Sequence, residues 1–320
     1  MAAAGPKIRI GIADHDLNTG ILDGTVKVEG FELDIASGTD DGAIHQLLRD
    51  GKIDACEYSF GTLMGERARG VPYISIPAFP NRKFRLSYIF VNSAAKIEGP
   101  KDLEGKRVGI LAWQNTAGVW ARGALQHYYG VDLTKIRWFC GAPNPPSLPA
   151  GIKIEAIPPR QLDPLLVAGE LDAVIQADIM PSMRKNDPRV RRLFVDYKSE
   201  EQRYFKETGI FPISHMITMP QDFVAKHPDA PVALLKAFRE SRDVAFERIE
   251  EQQVISISWA SAQLNEQRAL MGEQYWAYNV ENNRKPLEAM TQFAQEQGLT
   301  PDRFPVEKLF VPEAASLPGW

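Results

Sequence analysis

One nine-residue word is written twice in this chain, as LLRDGKIDA from Leu47 to Ala55 and as LLVAGELDA from Leu165 to Ala173. A short apolar run follows each copy, CEYSF after the first and VIQAD after the second. In the first copy Ile44, Leu47 and Leu48 fall at i, i+3 and i+4, the spacing of one helix face. Asp40 or Asp41 can cap the start of that helix, and Gly51 stands where a helix end needs a left-handed residue. Ile53 to Phe60 then reads as a buried strand. The second copy repeats the design with Leu165, Leu166, Gly169 and a strand from Asp172 to Ala177. A helix, a glycine stop and a strand, written twice at a long interval, make half of a βαβ unit in each of two α/β lobes.

At 320 residues, 44% of them hydrophobic, the chain is long for one core and comfortable for two. Each copy has an opening strand upstream, KIRIGIA at Lys7 to Ala13 and RVGIL at Arg107 to Leu111. The extended segments FRLSYIFV (Phe84 to Val91) and FPISHMITM (Phe211 to Met219) bracket the second copy and read as two crossings between lobes. Lobe II, residues 91–214, is therefore expected to be inserted into lobe I, residues 1–90 plus 215–320, with a ligand cleft between them. The carboxyl-terminal third reads as amphipathic helices at Ala230 to Arg248, Ser256 to Met271 and Pro286 to Gln297. Tyr275, Trp276 and Tyr278 there are expected to cover a core, and Arg284 is a weaker candidate for reaching the ligand.

Several function classes drop out at this level. Lys plus Arg total 37 and Asp plus Glu 41, a net charge of -4 without a long basic run, so nucleic acid is not an expected partner. No stretch approaches the ~18 uninterrupted apolar residues of a membrane span. The start MAAAGPKIRIGIAD lacks the form of a signal peptide, which gives a cytoplasmic expectation. Cys56 and Cys140, the two cysteines, have no metal-ligand or CxxC spacing and read as buried thiols. No GxGxxG loop argues for a nucleotide, and no cofactor is expected. Homo-oligomerisation stays open.

The organisation resembles the type II periplasmic-binding-protein fold. The segments IPAFPNRKFRLSYIFVN, GKRVGILAWQNTAGVWARGALQHYYGV, IRWFCG, DPRVRRLFVDYKSEEQRYFKETGIFPISH and ALMGEQYWAYNVENNR are similar to those of the 4,5-dihydroxyphthalate decarboxylase family. They occur in order from Asp14 to about Phe310. The resemblance implies a decarboxylase of a hydroxylated aromatic acid. It departs at one word: where relatives read DYDRT, this chain has Asp14-His15-Asp16-Leu17-Asn18. Leu17 replaces an arginine that could clamp a second carboxylate, so the substrate is open between a dicarboxylate such as 4,5-dihydroxyphthalate and a hydroxybenzoate.

Candidate site residues follow from chemistry. Arg85 and Ser87, at i and i+2 on an extended segment, would share a face that can look into the cleft, where an arginine fork binds a carboxylate and a serine adds a donor. The alternative is a surface arginine paired with an acid and a serine facing water. The Phe84-Arg85-x-Ser87 word of the resembling family favours the cleft. Trp113, Gln114 and Thr116 precede a helix from Ala117 to Tyr129. Thr116 or Asn115 suits its N-cap, and the amides there with Gln114 could receive an anion while Trp113 stacks on an aromatic ring.

Of the five histidines, His45, His127 and His227 read as solvated or capping. His215 follows Ser214 in the second crossing, and His15 stands in Asp14-His15-Asp16 where the first strand ends. Either could be a structural histidine. The position of His215 also matches the family's FPIxH word, and it is the first choice for proton donor because imidazole titrates near neutrality. Asp14, Asp16, His15 and His215 could be read as a metal site, but turn-forming acids explain the pair of aspartates more simply and no metal is expected. Glu57 leaves its strand near the carboxyl end, where cleft residues arise, and is a further catalytic candidate or a partner that orients Arg85.

Two function classes result. One is a cofactor-free decarboxylase acting on a small aromatic carboxylate by protonating the ring carbon, with His215, His15 and Glu57 catalytic and Arg85, Ser87, Trp113, Gln114, Thr116 and Asp14 binding. The other is a solute-binding protein that captures an organic anion, since fold alone does not give function.

Overall fold

The structure is a computed structural model that describes residues 5–38, 41–142, 148–158, 160–251 and 256–319. Two sheets organise it. The first takes β1 (Lys7–Ala13), β2 (Glu32–Gly38), β3 (Ala55–Ser59) and β4 (Tyr73–Ile76) from the amino-terminal part. The second takes β5 (Ile89–Asn92), β6 (Arg107–Ile110), β7 (Arg137–Cys140), β8 (Ile154–Ala156), β9 (Ala173–Ile175) and β10 (Val190–Arg192). The chain then returns to the first sheet with β11 (His215–Pro220). The orders are β2-β1-β3-β11-β4 and β10-β5-β9-β6-β7-β8. Each sheet sets the repeat strand, β3 or β9, parallel to the opening strand, β1 or β6, and antiparallel to a strand fed by a crossing segment, β11 or β5. This is the two-lobed periplasmic-binding-protein-like architecture. The boundary expected after residue 90 falls within β5, and the one at 214/215 coincides with the start of β11.

The repeated word has a physical explanation in these pairings. The helices Asp41–Arg49 and Leu162–Ala168 end before Gly51 and Gly169, whose φ values of 67° and 75° are left-handed. The aspartate of each copy then staples the repeat strand to the opening strand. Asp54 accepts from the Arg9 backbone N–H at 2.9 Å and from its guanidinium at 2.7 Å. Asp172 does the same with Arg107, at 2.8 and 2.7 Å. Two residues on, Gly11 and Gly109 let the apolar side chains of the helix and strand close over the sheet. A Cβ at Gly11 would stand 2.6 Å from Ile44, and one at Gly109 2.7 Å from Leu162. The cap expected from Asp40, and the Asp41 side chain, lie outside the described residues.

The two crossing segments pair with each other. Arg82 and Ile213 form an antiparallel bridge, and Ser214 N–H donates to Asn81 O at 2.8 Å. The buried Arg82 guanidinium donates to Phe211 O and Asn283 Oδ1 at 2.7 and 2.8 Å, which fixes both crossings to the carboxyl-terminal third. That third contains helices Ala230–Glu250, Ala260–Met271 and Arg284–Glu296. Tyr278 is fully buried and Trp276 donates to Phe79 O, as expected of core-covering aromatics. Arg284 instead pairs with Glu307 and does not reach toward a ligand. Among the described residues no helix is long and apolar enough to cross a membrane.

Gly123, in helix Thr116–His127, meets the Phe293 ring so closely that a Cβ could not be placed without moving the ring. Helix propensity alone would make alanine there better by ~1 kcal/mol, whereas overpacking a stiff aromatic costs ~1–3 kcal/mol. Gly123→Ala is therefore expected to lower the urea midpoint, and a midpoint equal to or above wild type would show that this helix pair is not tightly packed.

Candidate active site

The first sheet carries a carboxylate at its centre. Glu57 lies on β3, and its side chain is 1% exposed. Its Oε1 accepts from His215 Nδ1 at 2.9 Å and from His15 Nε2 at 3.3 Å. Its Oε2 accepts from Ala13 N–H at 3.2 Å and Asn18 Nδ2 at 3.0 Å. An ionised carboxylate only accepts, so each of those histidine nitrogens carries a proton. Burial pushes the Glu57 carboxyl upward, but the hydrogen bonds and charges of His15 and His215 outweigh it and hold it well below the usual carboxylate range. Register makes this assembly local in space: β11 runs antiparallel to β3 with His215 opposite Ser59, two residues from Glu57.

Between the lobes lies a cleft of about 500 Å³. The first lobe lines it with His45, Ser59 and Thr62, the crossings with Asn81, Lys83, Arg85, Ser214 and His215, and the second lobe with Leu111, Asn115, Thr116, Ala117, Ala177 and Asp178. Arg85 is 7% exposed and donates to Ser214 Oγ at 2.5 Å and Ala177 O at 3.2 Å, and among the described residues its guanidinium hydrogen-bonds no acid and its Nε has no partner. Burial lowers its pKa to about 10, which still leaves it charged at neutral pH. A buried cation held by two neutral oxygens is poised for an anion. Lys83, exposed on the same segment, is a second cation in the wall.

Helix Thr116–His127 starts at the cleft. Asn115 is its cap, accepting from Gly118 N–H at 3.3 Å. Thr116 ties the lobes together instead, through Ser59 Oγ at 2.7 Å and Gly61 N–H at 2.8 Å.

The structure thus brings together His215, Glu57 and His15, and places Arg85 and Thr116 in the cleft wall. Glu57 serves the histidines and not Arg85. Four expectations need correction. Leu86–Tyr88 is a 3-10 turn and not part of a strand, so i and i+2 do not share a face, and the Ser87 N–H donates to Glu201 at 2.8 Å. Trp113 is 1% exposed, donates to Gln297 O and is covered by the Arg122 guanidinium 3.9 Å from its ring centre, which makes it core. Gln114 lines a separate cavity with Arg69 and Thr300. Asp14 is exposed at the end of β1 with its N–H on Gly38 O, outside the cleft wall.

His45, read as solvated or capping, is a residue the sequence reasoning missed. It is 7% exposed and lies in the cleft wall with its ring centre 5.8 Å from that of His215. Burial, then the charges of His215 and Arg49, lower its pKa to about 3, so it is neutral at physiological pH. Leu17 sits in an apolar cluster with Ala245, Phe246 and Leu264 and is not among the residues that line the cleft. Among the described residues no group of three or more His, Cys, Asp or Glu side chains is arranged to hold a metal ion.

Comparison with known proteins adds a second line. The family described as NMT1/THI5 like matches residues 26–140. A protein of Comamonas testosteroni named 4,5-dihydroxyphthalate decarboxylase is 30% identical over 318 residues, covering 96% of this chain and 96% of that one. Among solved structures, the periplasmic aliphatic sulphonate binding protein of Escherichia coli aligns with a TM-score of 0.58 at 14% identity, covering 96% of this chain and 98% of that one. A desulfurization enzyme aligns with a TM-score of 0.54 at 16% identity, covering 97% of each. Those two likenesses speak for the fold.

The depressed pKa of Glu57 has a stability consequence. Because folding lowers it, the stabilisation from this carboxylate is fully present above the unfolded-chain value of about 4.3 and is lost as pH falls toward the folded value. Glu57→Gln is expected to cost about 3 kcal/mol at pH 7, and the gap to wild type in urea unfolding should hold at pH values above the unfolded-chain carboxylate range and narrow only when the pH is taken below it. A gap that does not change with pH would mean that Glu57 is not ionised in the folded protein.

Proposed function

The chain belongs to the 4,5-dihydroxyphthalate decarboxylase family, and from that premise we propose that it removes a carboxylate as CO2 from a hydroxylated aromatic acid in the cleft between lobe I (1–90 plus 215–320) and lobe II (91–214). The observation that carries this reading is the pairing of His215, which lines the cleft, with the buried Glu57 behind it, in a wall where Arg85 donates to two neutral oxygens. Capture of an anion needs only donors. A histidine whose Nδ1–H is fixed by a carboxylate has its tautomer set, as in the histidine dyads of other enzymes, so that its Nε2 can handle a proton.

Arg85 anchors a substrate carboxylate, with Lys83 and the start of helix Thr116–His127 adding positive potential. His215 Nε2–H gives its proton to the ring carbon that bears the departing carboxylate, and an ortho or para hydroxyl supplies electron density to that carbon. The carbon–carboxylate bond then breaks, CO2 leaves, and its bonding pair restores the aromatic ring. The net reaction consumes one proton per CO2. His15, the second imidazole on Glu57, helps hold the carboxylate ionised through the cycle. Both a dihydroxyphthalate-like diacid and a hydroxybenzoate fit two cations in the wall. A cytoplasmic location is part of this reading, and it would keep the buried thiols of Cys56 and Cys140 reduced.

The second reading is a solute-binding protein for an organic anion, favoured by the likeness to a sulphonate-binding fold and by Arg85, which would serve capture equally well.

Two substitutions test the site. Arg85→Ala should weaken binding of an aromatic carboxylate by about 2–3 kcal/mol in calorimetric titration, and a change within error would remove Arg85 from the site. His215→Asn should bind ligand within a few-fold of wild type and lose on the order of 10² to 10⁴ in single-turnover CO2 release. Equal turnover in the variant would exclude His215 as the acid. Binding by wild type with no CO2 release from any hydroxylated benzoate or phthalate would favour the solute-binding reading.

A further inference from the structure

His45 is a buried imidazole in the cleft wall, and the proton donation described above leaves it without a task. It sits on the first-repeat helix, and its ring is wedged between Tyr58, 4.5 Å away centre to centre, and His215. Its Nε2 is 3.1 Å from Glu57 O and 3.3 Å from Ser59 N. The Ser59 N–H points at the same nitrogen and would need the other tautomer; we assign the shorter contact, Nε2–H donating to the Glu57 carbonyl, which puts the lone pair on Nδ1. The charged or titratable groups that share the wall with it are His215, Arg85, Lys83 and Asp178. His45 is therefore a neutral acceptor in a wall otherwise dominated by cations.

We propose that His45 contacts the substrate and that its Nδ1 accepts the hydrogen bond of the ring hydroxyl. The assignment rests on the decarboxylase reading and completes its electron flow. As His215 protonates the ring carbon, the hydroxyl O–H bond breaks toward His45 Nδ1 and the ring becomes a neutral dienone with a carbonyl at that position. The carbon–carboxylate bond then breaks, its electron pair passes into the ring, and the oxygen becomes a phenolate as CO2 departs. His45 returns its proton to that oxygen and ends the cycle neutral. Burial and the charges of His215 and Arg49 keep His45 neutral before the ring is protonated, so its lone pair is available to the hydroxyl.

The test uses two ligands that differ only in ring hydroxyls, 4,5-dihydroxyphthalate and phthalate, titrated calorimetrically into wild type, His45→Leu and His45→Gln. Wild type should prefer the hydroxylated ligand by about tenfold. His45→Leu should lose that preference and keep its phthalate affinity within about twofold, while His45→Gln, which retains an acceptor, keeps part of the preference. A preference unchanged in both variants, or an equal loss for both ligands, would overturn the assignment, the second outcome marking a structural role. The reading on which it rests is judged separately by CO2 release: no release by wild type, with the His45-dependent preference intact, would sink the decarboxylase and leave His45 as the hydroxyl's partner.

Discussion

The site is built around a carboxylate with no access to water. An ionised carboxylate in a protein interior costs several kcal/mol unless its lone pairs are met by donors. Glu57 obtains them from four places in the chain: the end of β1, the turn after it, His15 beside that turn, and β11. Each donor comes from backbone or side chains that would be set differently without it. The cost of burying one charge is therefore what fixes the end of β1 and the imidazole of His215 relative to each other.

The opposite charge is treated differently. Arg82, Arg85 and Arg122 are all buried, and their hydrogen bonds are to carbonyls, an amide or a hydroxyl rather than to carboxylates. Burial lowers all three, Arg82 and Arg122 to about 9. Arg82 and Arg122 are closed in by aromatic rings and act as pins, Arg82 against Phe211 and Arg122 against Trp113. Arg85 reaches the cleft. Fixed dipoles thus hold a cation at the place where a ligand's negative charge would sit, with no reorganisation needed when it arrives.

What could be read from the sequence was what depends on short-range pattern. The helix, glycine stop and strand of LLxxGxxDA were legible twice, and FRLSYIFV and FPISHMITM were legible as extended segments on either side of the second copy. The staples Arg9–Asp54 and Arg107–Asp172 were not read, although RIGI and RVGI repeat, because a pairing across 45 or 65 residues has no local signature. Ser87 and Trp113 went astray for a related reason. Alternation in FRLSYIFV suggests a strand from Phe84, yet the demand of buried Glu201 for donors goes with a tight turn at Leu86–Tyr88. Trp113 looks available on a loop until Arg122 and Gln297 close over it. His45 sits at the edge of the Ile44, Leu47, Leu48 stripe, where the helix pattern alone gives no sign that β3 and β11 will bury it.

The pairing of β10 with β5 has a consequence for how the molecule is assembled. Arg192 lies opposite Phe90, so the inserted lobe leaves its sheet beside the point where it entered. All the strands of that sheet come from one continuous stretch, whereas Glu57 and His215 are 158 residues apart. A chain searching for that contact as an open coil would pay the closure entropy of the whole interval. Once the inserted lobe is compact, its adjoining ends reduce the effective loop to the two crossing segments. A nascent chain can complete this lobe before β11 has left the ribosome. The Glu57–His215 pair forms only when the last strand of the first sheet is laid in, so a partly made chain has the second sheet complete but this contact unmade.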